Sequence, residues 1–306
     1  MTVDNSPEAI ARRLAILNGA HDETASRETY LRCPFGYPGS KRTSLDHILP
    51  KIPYLRNYVE VFGGGGAVLL NRRKSVNEVF NDRHAGIVSF YRCIRNPDTL
   101  SKLADRLRLT IYSREEFIWC RDTWDKLTGT DVDTDIERAA RWFYMVQMSF
   151  TNQGRNFART MVGHSTVFNR VIHHIPNFMD VHNRIKEVLI ENMDWRQMLK
   201  DFDGDDTVFY LDPPYLDVSH GIYEHEMSVA DHREMCERIF SLKGCVCLSG
   251  YTNDLYDKYP WDEKYNWEVK DRMTSMAFTE TNGKAGLRET TGRGKQIEYL
   301  WVKHES

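Results

Sequence analysis

The sequence of 306 residues lacks several features that mark specialised classes of protein. It has no run of 18 apolar residues, so we expect no helix that spans a membrane. Its first thirty residues are polar and acidic and contain no apolar signal core, which favours a cytoplasmic over a secreted protein. The net charge is only −3, so the overall charge does not by itself indicate a partner such as nucleic acid.

Cysteine is scarce and is not spaced for metal binding or for a disulfide framework. The six cysteines are Cys33, Cys93, Cys120, Cys236, Cys245 and Cys247. Cys245 and Cys247 are two positions apart, so they share one face of a strand and do not form a CxxC pair. His164, His173 and His174 do not have the Cys/His spacing of a zinc site either. We therefore expect reduced structural thiols and no metal ion.

Strand patterns and helix patterns alternate along the chain. Strands are predicted at residues 58–62, 76–81, 188–191, 207–211, 245–249 and 297–302. Helices are predicted at residues 67–73, 84–127, 135–149 and 177–187, with another beginning at Ser6-Pro7 and a loop region at 151–174. This alternation is typical of an α/β fold, in which a mostly parallel sheet carries helices on both faces. Ligands of such sheets bind outside the carboxyl ends of the strands.

A run of glycines follows the first predicted strand. Residues 62–66 read Phe-Gly-Gly-Gly-Gly, and glycine lets a backbone adopt positive φ and approach a ligand closely. Asp82 follows the second strand, where a carboxylate can accept hydrogen bonds from ribose hydroxyls. Asp194 and Asp212 also follow strands. Together these residues predict a nucleotide-like cofactor site, with a tight turn for the glycines and a helix N-cap for Asp82 as the structural alternatives.

The segment Asp212-Pro213-Pro214-Tyr215 carries the most specific chemistry. Its two prolines have no N–H, so the Asp212 carboxylate and the Pro213 carbonyl are presented as acceptors. Two acceptors that hold the hydrogens of an exocyclic amine would direct its lone pair toward a methyl sulfonium. Tyr215 offers a ring on which an extruded base can stack. The segment therefore predicts methylation of an amine, against the alternative of a plain proline turn.

Positive charge is concentrated in two stretches of the chain. Five arginines and no acidic residue lie between Arg138 and His174, and a second basic stretch runs from Lys284 to Lys295. Local patches of this kind decide where phosphates bind, although solvated loops would look the same. The residues expected to contact nucleic acid are Arg155, Arg159, Arg170, Lys284 and Arg288. Arg138 and Arg141 lie on a predicted helix, where a structural role is the alternative.

The order of these motifs resembles the Dam-like, alpha-group DNA adenine methyltransferases over most of residues 31–303. Residues 34–41 resemble the family's N-terminal cofactor motif, and residues 59–65 resemble its principal cofactor motif. The resemblance implies cofactor-binding roles for Tyr37, Lys41, Phe62, Gly63, Gly64, Gly65, Asp82, Asp194 and Trp195. Of these, Trp195 is implied to act through its backbone.

The remaining motifs of the resemblance lie in the second half of the chain. Residues 212–215 match the catalytic motif, residues 248–251 resemble the wall of the pocket for a flipped base, and residues 298–303 resemble the closing strand. Residues 142–145, followed by Asn152, are similar to the region that recognises the target, which adds Asn152 to the expected DNA contacts. The first thirty residues have no counterpart in the family.

The resemblance implies a Rossmann-like, S-adenosylmethionine-dependent methyltransferase fold. We expect a mostly parallel sheet of seven strands and an inserted helical domain for target recognition. Residues 1–30 are then an N-terminal extension. Residues 31–110 and 175–306 form the catalytic domain, and residues 111–174 form the insertion.

The expected activity is site-specific transfer of a methyl group from S-adenosyl-L-methionine to N6 of a flipped adenine in double-stranded DNA. The transfer would be direct, without a metal, and no cysteine lies near Asp212 in sequence to suggest a cytosine C5 enzyme. A cytosine-N4 methyltransferase and a non-catalytic DNA-binding relative stay open. We expect a monomer or weak dimer, with a cognate restriction endonuclease as the partner to look for.

Overall fold

The computed structural model describes residues 30–129, 131–159, 167–216, 226–270 and 295–305. The helix predicted from Ser6-Pro7 lies outside these residues, as do Lys284 and Arg288. Within the described ranges, no helix is long and apolar enough to cross a membrane.

A sheet of seven strands forms the centre of the molecule. The strands are β1 (Asn57–Glu60), β2 (Asn77–Asn81), β3 (Leu189–Glu191), β4 (Thr207–Leu211), β5 (Cys245–Tyr251), β6 (Glu263–Lys270) and β7 (Lys295–Lys303). Their order across the sheet is β3-β2-β1-β4-β5-β7-β6. Strands β1 to β5 pair in parallel, whereas β7 runs antiparallel to both β5 and β6. The predicted α/β, Rossmann-like fold with a mostly parallel seven-stranded sheet is therefore confirmed.

Strand β6 is the element that the sequence patterns missed. Tyr265, Trp267 and Val269 alternate with polar residues there, which is the period of a strand with one buried face. Trp267 is buried, and the whole strand pairs with β7. The alternation is present in the sequence, but it was not assigned to a strand.

In the part of the chain that the structure describes, ten α-helices surround the sheet. They are α1 (Leu45–Ile48), α2 (Ala67–Asn71), α3 (Ala85–Arg95), α4 (Pro97–Arg108), α5 (Arg114–Thr123), α6 (Val132–Met148), α7 (Val167–His174), α8 (Phe178–Ile185), α9 (Trp195–Asp201) and α10 (Val229–Ile239). The single helical region predicted at 84–127 is divided into three helices. Asn96 and Ser113 mark the divisions, because each side chain accepts a hydrogen bond from the first turn of the helix that follows.

The prediction of a loop at residues 151–174 is wrong in its second half, where α7 forms. Val171 and Ile175 are both buried, and residues four apart share one face of a helix. Burial of this apolar face stabilises a helix that the glycine and asparagine content of the region had hidden.

Each face of the sheet has its own core. Tyr58 of β1, Phe80 of β2 and Tyr210 of β4 belong to the core that contains α3, α6 and α8. Val59 and Phe209, the neighbours of two of these residues in the chain, belong to the core formed with α9 and α10. Successive strand residues alternate between the faces, so the apolar residues of the central strands contribute to both cores.

Helix α6, in the predicted insertion, contributes to the first of these cores. The rings of Trp142 and Phe35 meet edge to face with their centroids 4.9 Å apart. Phe143 stacks on Phe90 of α3 at 5.0 Å. The base of the insertion therefore shares a core with the sheet, and the domain boundaries at 110 and 175 stay a prediction.

Candidate functional site

Residues at or just after the carboxyl ends of β1, β2, β3 and β4 line a cavity of about 400 Å³. The predicted residues that line it are Tyr37, Lys41, Phe62, Gly63, Gly64, Gly65, Asp82, Asp194, Trp195, Asp212, Pro213 and Pro214. All the predicted cofactor residues and three of the four predicted catalytic residues thus border one space. Tyr215 borders an adjacent, smaller depression together with Tyr251 and Tyr256.

The glycine loop, residues 62–66, owes its shape to close packing and to positive φ angles. A Cβ atom at Gly63 would lie 2.2 Å from the Phe80 ring, so only glycine fits there without displacement of the ring. Gly64 has φ of 50° and Gly66 has φ of 66°. The loop is also tied to β2, because the Gly63 N–H donates to the Asn81 carbonyl over 2.8 Å. Glycine is required here for a tight turn and also leaves backbone lining the cavity.

Asp82, which follows β2, holds the glycine loop in place. Its Oδ2 accepts from the Gly64 N–H over 2.7 Å, and its Oδ1 accepts from the His84 N–H over the same distance. The N-cap of α3 is His84, whose Nδ1 accepts from the Gly86 N–H, so the expectation that Asp82 itself could be the N-cap is wrong. The Asp82 carboxylate therefore both orders the glycine loop and borders the cavity.

Asp194 borders the cavity and caps α9. Its Oδ1 accepts from the Arg196 N–H over 3.0 Å. The Trp195 side chain is buried in the second core, and the Arg196 guanidinium lies 4.3 Å from the centre of its ring. Arg196 also pairs with Asp231 and Glu234 of α10. Arg196 and Asp231 both line the cavity, and neither was singled out from the sequence.

A group of interacting charges surrounds Asp212 in the catalytic segment. The Lys41 Nζ lies 2.6 Å from the Asp212 Oδ2, and the Tyr215 hydroxyl donates to the Asp212 Oδ1 over 3.0 Å. The Lys41 ammonium is also 4.9 Å from the centre of the Tyr215 ring, which packs edge to face against Tyr251. Both carboxylate oxygens of Asp212 are therefore held by buried donors at the edge of the cavity.

Glu298 of β7 completes this group. Its Oε1 lies 3.1 Å from the Tyr215 hydroxyl, whose single hydrogen is shared between Asp212 and Glu298, and 3.5 Å from the Lys41 Nζ. Its Oε2 accepts from the Ser44 hydroxyl over 2.5 Å. The resemblance of residues 298–303 to the family places Glu298 only in the closing strand. An available signal was its position on the same strand face as the apolar Leu300 and Val302, where a buried acid needs a specific partner.

Two carboxyl groups at the cavity have raised pKa values. Burial raises the pKa of Asp212 to about 6; the charge of Lys41 opposes this shift, and the charge of Glu298 adds to it. Burial raises the pKa of Glu60 to about 8, although the Tyr58 hydroxyl and the Leu69 N–H each donate to the carboxyl group over 2.7 Å. Perturbed acids that line a cavity are typical of functional sites.

The residues predicted to contact DNA have different environments. Arg155 and Arg159 are exposed on the segment after α6. Arg170 is exposed as well, and its Nη1 donates to the Ser149 carbonyl over 3.4 Å. The side chain of Asn152 packs close to Gly36, and its φ of 58° is unusual for a residue other than glycine.

The two arginines on α6, Arg138 and Arg141, bond within the protein. Arg138 pairs with Asp135 and donates to the Leu127 carbonyl, both over 2.5 Å. Arg141 pairs with Glu137 over 2.8 Å, and its guanidinium lies 3.9 Å from the centre of the Trp119 ring. Arg138 and Arg141 therefore fit the structural role better than a contact with phosphate.

Comparisons with known proteins agree with this geometry. Residues 37–276 match the model of a family described as D12 class N6 adenine-specific DNA methyltransferases. A type II methyltransferase of Lactococcus lactis subsp. cremoris, M1.LlaDCHI, is 29% identical over 86% of this chain and 92% of its own length. The type II methyltransferase M.CviBI of Paramecium bursaria Chlorella virus NC1A is 22% identical over 76% of this chain and 90% of its own length.

A further match covers less of both proteins. The DNA N-6-adenine-methyltransferase of Escherichia phage P1 is 29% identical over 40% of this chain and 16% of its own length. The family model, in contrast, spans the glycine loop, Asp82, Asp194 and the catalytic segment in one alignment. The resemblance drawn from the order of the motifs is confirmed, and the chain belongs to the D12 class N6 adenine-specific DNA methyltransferase family.

Proposed function

We propose that this chain transfers a methyl group from S-adenosyl-L-methionine to N6 of adenine in double-stranded DNA, at the cavity described above. One observation carries the proposal: the Asp212 carboxylate and the Pro213-Pro214 backbone border the same cavity as the glycine loop. A pair of acceptors for an amine thus adjoins a site shaped for a nucleoside. Membership of the adenine-specific family supports N6 of adenine as the acceptor over N4 of cytosine.

The residues of the cavity fit S-adenosyl-L-methionine. A volume of about 400 Å³ lies within the range of small-molecule sites, roughly 300–1,000 Å³. Gly64 and Gly65 leave backbone without side chains along one wall, and Asp82 places a carboxylate where a ribose can donate to it. Asp194 and the Trp195 backbone would hold the adenine ring. When bound, the cofactor supplies a methyl group on a positively charged sulfur.

The residues of the chain hold and orient the target amine. The Asp212 carboxylate and the Pro213 carbonyl accept its two hydrogens, while Lys41 and Tyr215 fix the carboxylate. With a pKa of about 6, Asp212 is largely ionised at neutral pH and can take up a proton after the methyl group is transferred. Catalysis then rests on positioning and on preorganised hydrogen bonds. The target base must leave the duplex to reach them.

The exposed arginines after α6 are the proposed phosphate contacts. Replacing both Arg155 and Arg159 with glutamine should weaken duplex binding and reduce the slope of log K against log [salt] by roughly 2, because each lost contact removes roughly 0.9. Fluorescence anisotropy with one duplex at several salt concentrations measures both quantities. Arg108→Gln, on the exposed end of α4, is the matched control. An unchanged slope in the double variant would show that neither arginine contacts a phosphate.

Genome sequencing that detects modified bases tests the proposed function as a whole. The protein is expressed in a host without adenine methylation, and we expect N6-methyladenine within one short sequence context. A catalytically inactive variant, Asp212→Ala, controls for modification by the host. The appearance of N4-methylcytosine would reassign the acceptor, and soluble protein without any modified base would contradict the proposal.

A further inference from the structure

Glu298 is a buried acid to which neither the sequence motifs nor the proposed chemistry gives a role. It is the fourth residue of β7 and is only 4% exposed. Register places it opposite Tyr251 of β5, beside the catalytic segment. A buried carboxylate is costly unless it is paired and hydrogen-bonded, so the position of Glu298 calls for a specific account.

The partners of Glu298 are also the partners of Asp212. Lys41 lies 2.6 Å from the Asp212 carboxylate and 3.5 Å from that of Glu298. The Tyr215 hydroxyl is within hydrogen-bond distance of both carboxylates, at 3.0 Å and 3.1 Å. Two carboxylates therefore share one ammonium and one hydroxyl, and this buried group carries an excess negative charge. The negative charge of Glu298 makes ionisation of Asp212 less favourable.

The far oxygen of Glu298 anchors this arrangement to the N-terminal segment. The Ser44 hydroxyl, at the start of α1, donates to the Glu298 Oε2 over 2.5 Å. The Lys41 Nζ also donates to the Gly39 carbonyl over 3.1 Å, which fixes the direction from which the ammonium approaches. Glu298 thus joins the closing strand to the segment that carries Lys41, two regions more than 250 positions apart in the chain.

We propose that Glu298 is a positioning residue for methyl transfer: it holds Lys41 and Tyr215 against Asp212, and its negative charge makes Asp212 a stronger acceptor of the departing proton. This inference rests on the proposed role of Asp212 as the acceptor for the amine. The proton lost by the methylated amine passes to the Asp212 carboxylate and then to solvent, so no other reactant is needed.

Other ionisable groups, besides Lys41 and Glu298, also lie near Asp212. Glu60 of β1 interacts with Asp212 through its charge, and Tyr210 of β4 and Tyr256 after β5 lie close enough to be affected by it. These groups are unchanged in every variant at Glu298 or Lys41. A difference between variants at Glu298 and Lys41 therefore reports the contribution of the altered side chain.

The pH dependence of kcat/KM separates positioning by Glu298 from a purely structural role. In the wild type, kcat/KM should fall as the pH drops through about 6, where Asp212 takes up a proton. In Glu298→Gln this acid limb should move down by roughly one pH unit, because a neighbouring negative charge is lost. In Lys41→Met it should move up by roughly one unit or more, because the stabilising positive charge is lost.

The control is Glu268→Gln, which makes the same change on an exposed position of the adjacent strand β6 and should leave the limb in place. Melting temperature and cofactor affinity, measured for every variant, show that the proteins are folded. If Glu298→Gln does not fold, Lys41→Met is compared with Lys41→Met/Glu298→Gln, which removes both charges together. The acid limb of kcat/KM in Lys41→Met should then lie at higher pH than in the double variant.

The outcomes distinguish this inference from the proposed function. A limb that stays in place or moves up in Glu298→Gln overturns the role of Glu298 while the methyltransferase activity stands. Equal limbs in Lys41→Met and in the double variant overturn it in the same way. If the wild type transfers no methyl group at any pH, the proposed function itself is contradicted.

Discussion

Replacing Asp212 with alanine should lower kcat for methyl transfer by roughly 10³-fold or more, with little change in the affinity for S-adenosyl-L-methionine. The substitution leaves the Pro213 carbonyl as the remaining acceptor for the amine. The Lys41 ammonium keeps Glu298 as a partner, at 3.5 Å, so the buried charge stays compensated. The Gly64 N–H and the Asp82 Oδ2 bond to each other, so this part of the cofactor site does not depend on the altered side chain.

Single-turnover transfer of a labelled methyl group to duplex DNA measures this loss, and calorimetry with the cofactor measures binding. The matched control is Asp205→Ala, which removes an exposed acid just before β4, whereas Asp212 directly follows that strand. The control should retain full activity. If Asp212→Ala kept the wild-type rate, the proton acceptor would have to be another group, and the assignment of the catalytic segment would fail.

The strand-end residues could be predicted from the sequence because parallel strands fix where their ends lie. The glycine loop, Asp82, Asp194 and Asp212 each follow a predicted strand, and the geometry of a parallel sheet brings such positions to one edge. The pairing of β1 with β2 and β4 then places three of these sites on neighbouring strands. Local periodicity was sufficient for this part of the site.

Contacts between distant parts of the chain could not be predicted in this way. Ser44 and Glu298 are 254 positions apart, and only the antiparallel return of β7 beside β5 brings them together. The packing of Asn152 against Gly36 likewise depends on how the segment after α6 folds back. Hydrophobic periodicity reports which face of an element is buried, but it does not report which polar side chains meet across that face.

A buried cluster of charges around Glu78 carries the largest expected effect on stability. Glu78 of β2 lies between two arginines, with its Oε1 3.0 Å from the Arg72 Nη1 and its Oε2 2.5 Å from the Arg184 Nη1. All three side chains are at most 5% exposed. The Arg184 Nη2 also donates to the Leu69 carbonyl of α2, the helix that follows the loop. The cluster therefore connects β2 and α8 to the helix that shapes the cofactor site.

Replacing Glu78 with glutamine should lower the free energy of unfolding by about 3–5 kcal/mol. The amide has nearly the same shape, but two buried guanidinium ions would then face each other without a counter-ion. Arg184→Met should cost less than Glu78→Gln, because the remaining pair of Arg72 and Glu78 is neutral overall. Urea denaturation followed by circular dichroism measures the free energies in both variants.

The order of the two losses is the critical result, because it depends on charge and not on volume. Glu187→Gln, which removes an acid from the exposed pair with Lys74, is the matched control and should not change stability measurably. Equal stability of Glu78→Gln and the wild type would show that the two arginines do not need the carboxylate. If Arg184→Met were instead the more damaging change, the guanidinium bond to the Leu69 carbonyl, rather than charge balance, would be what holds α2 in place.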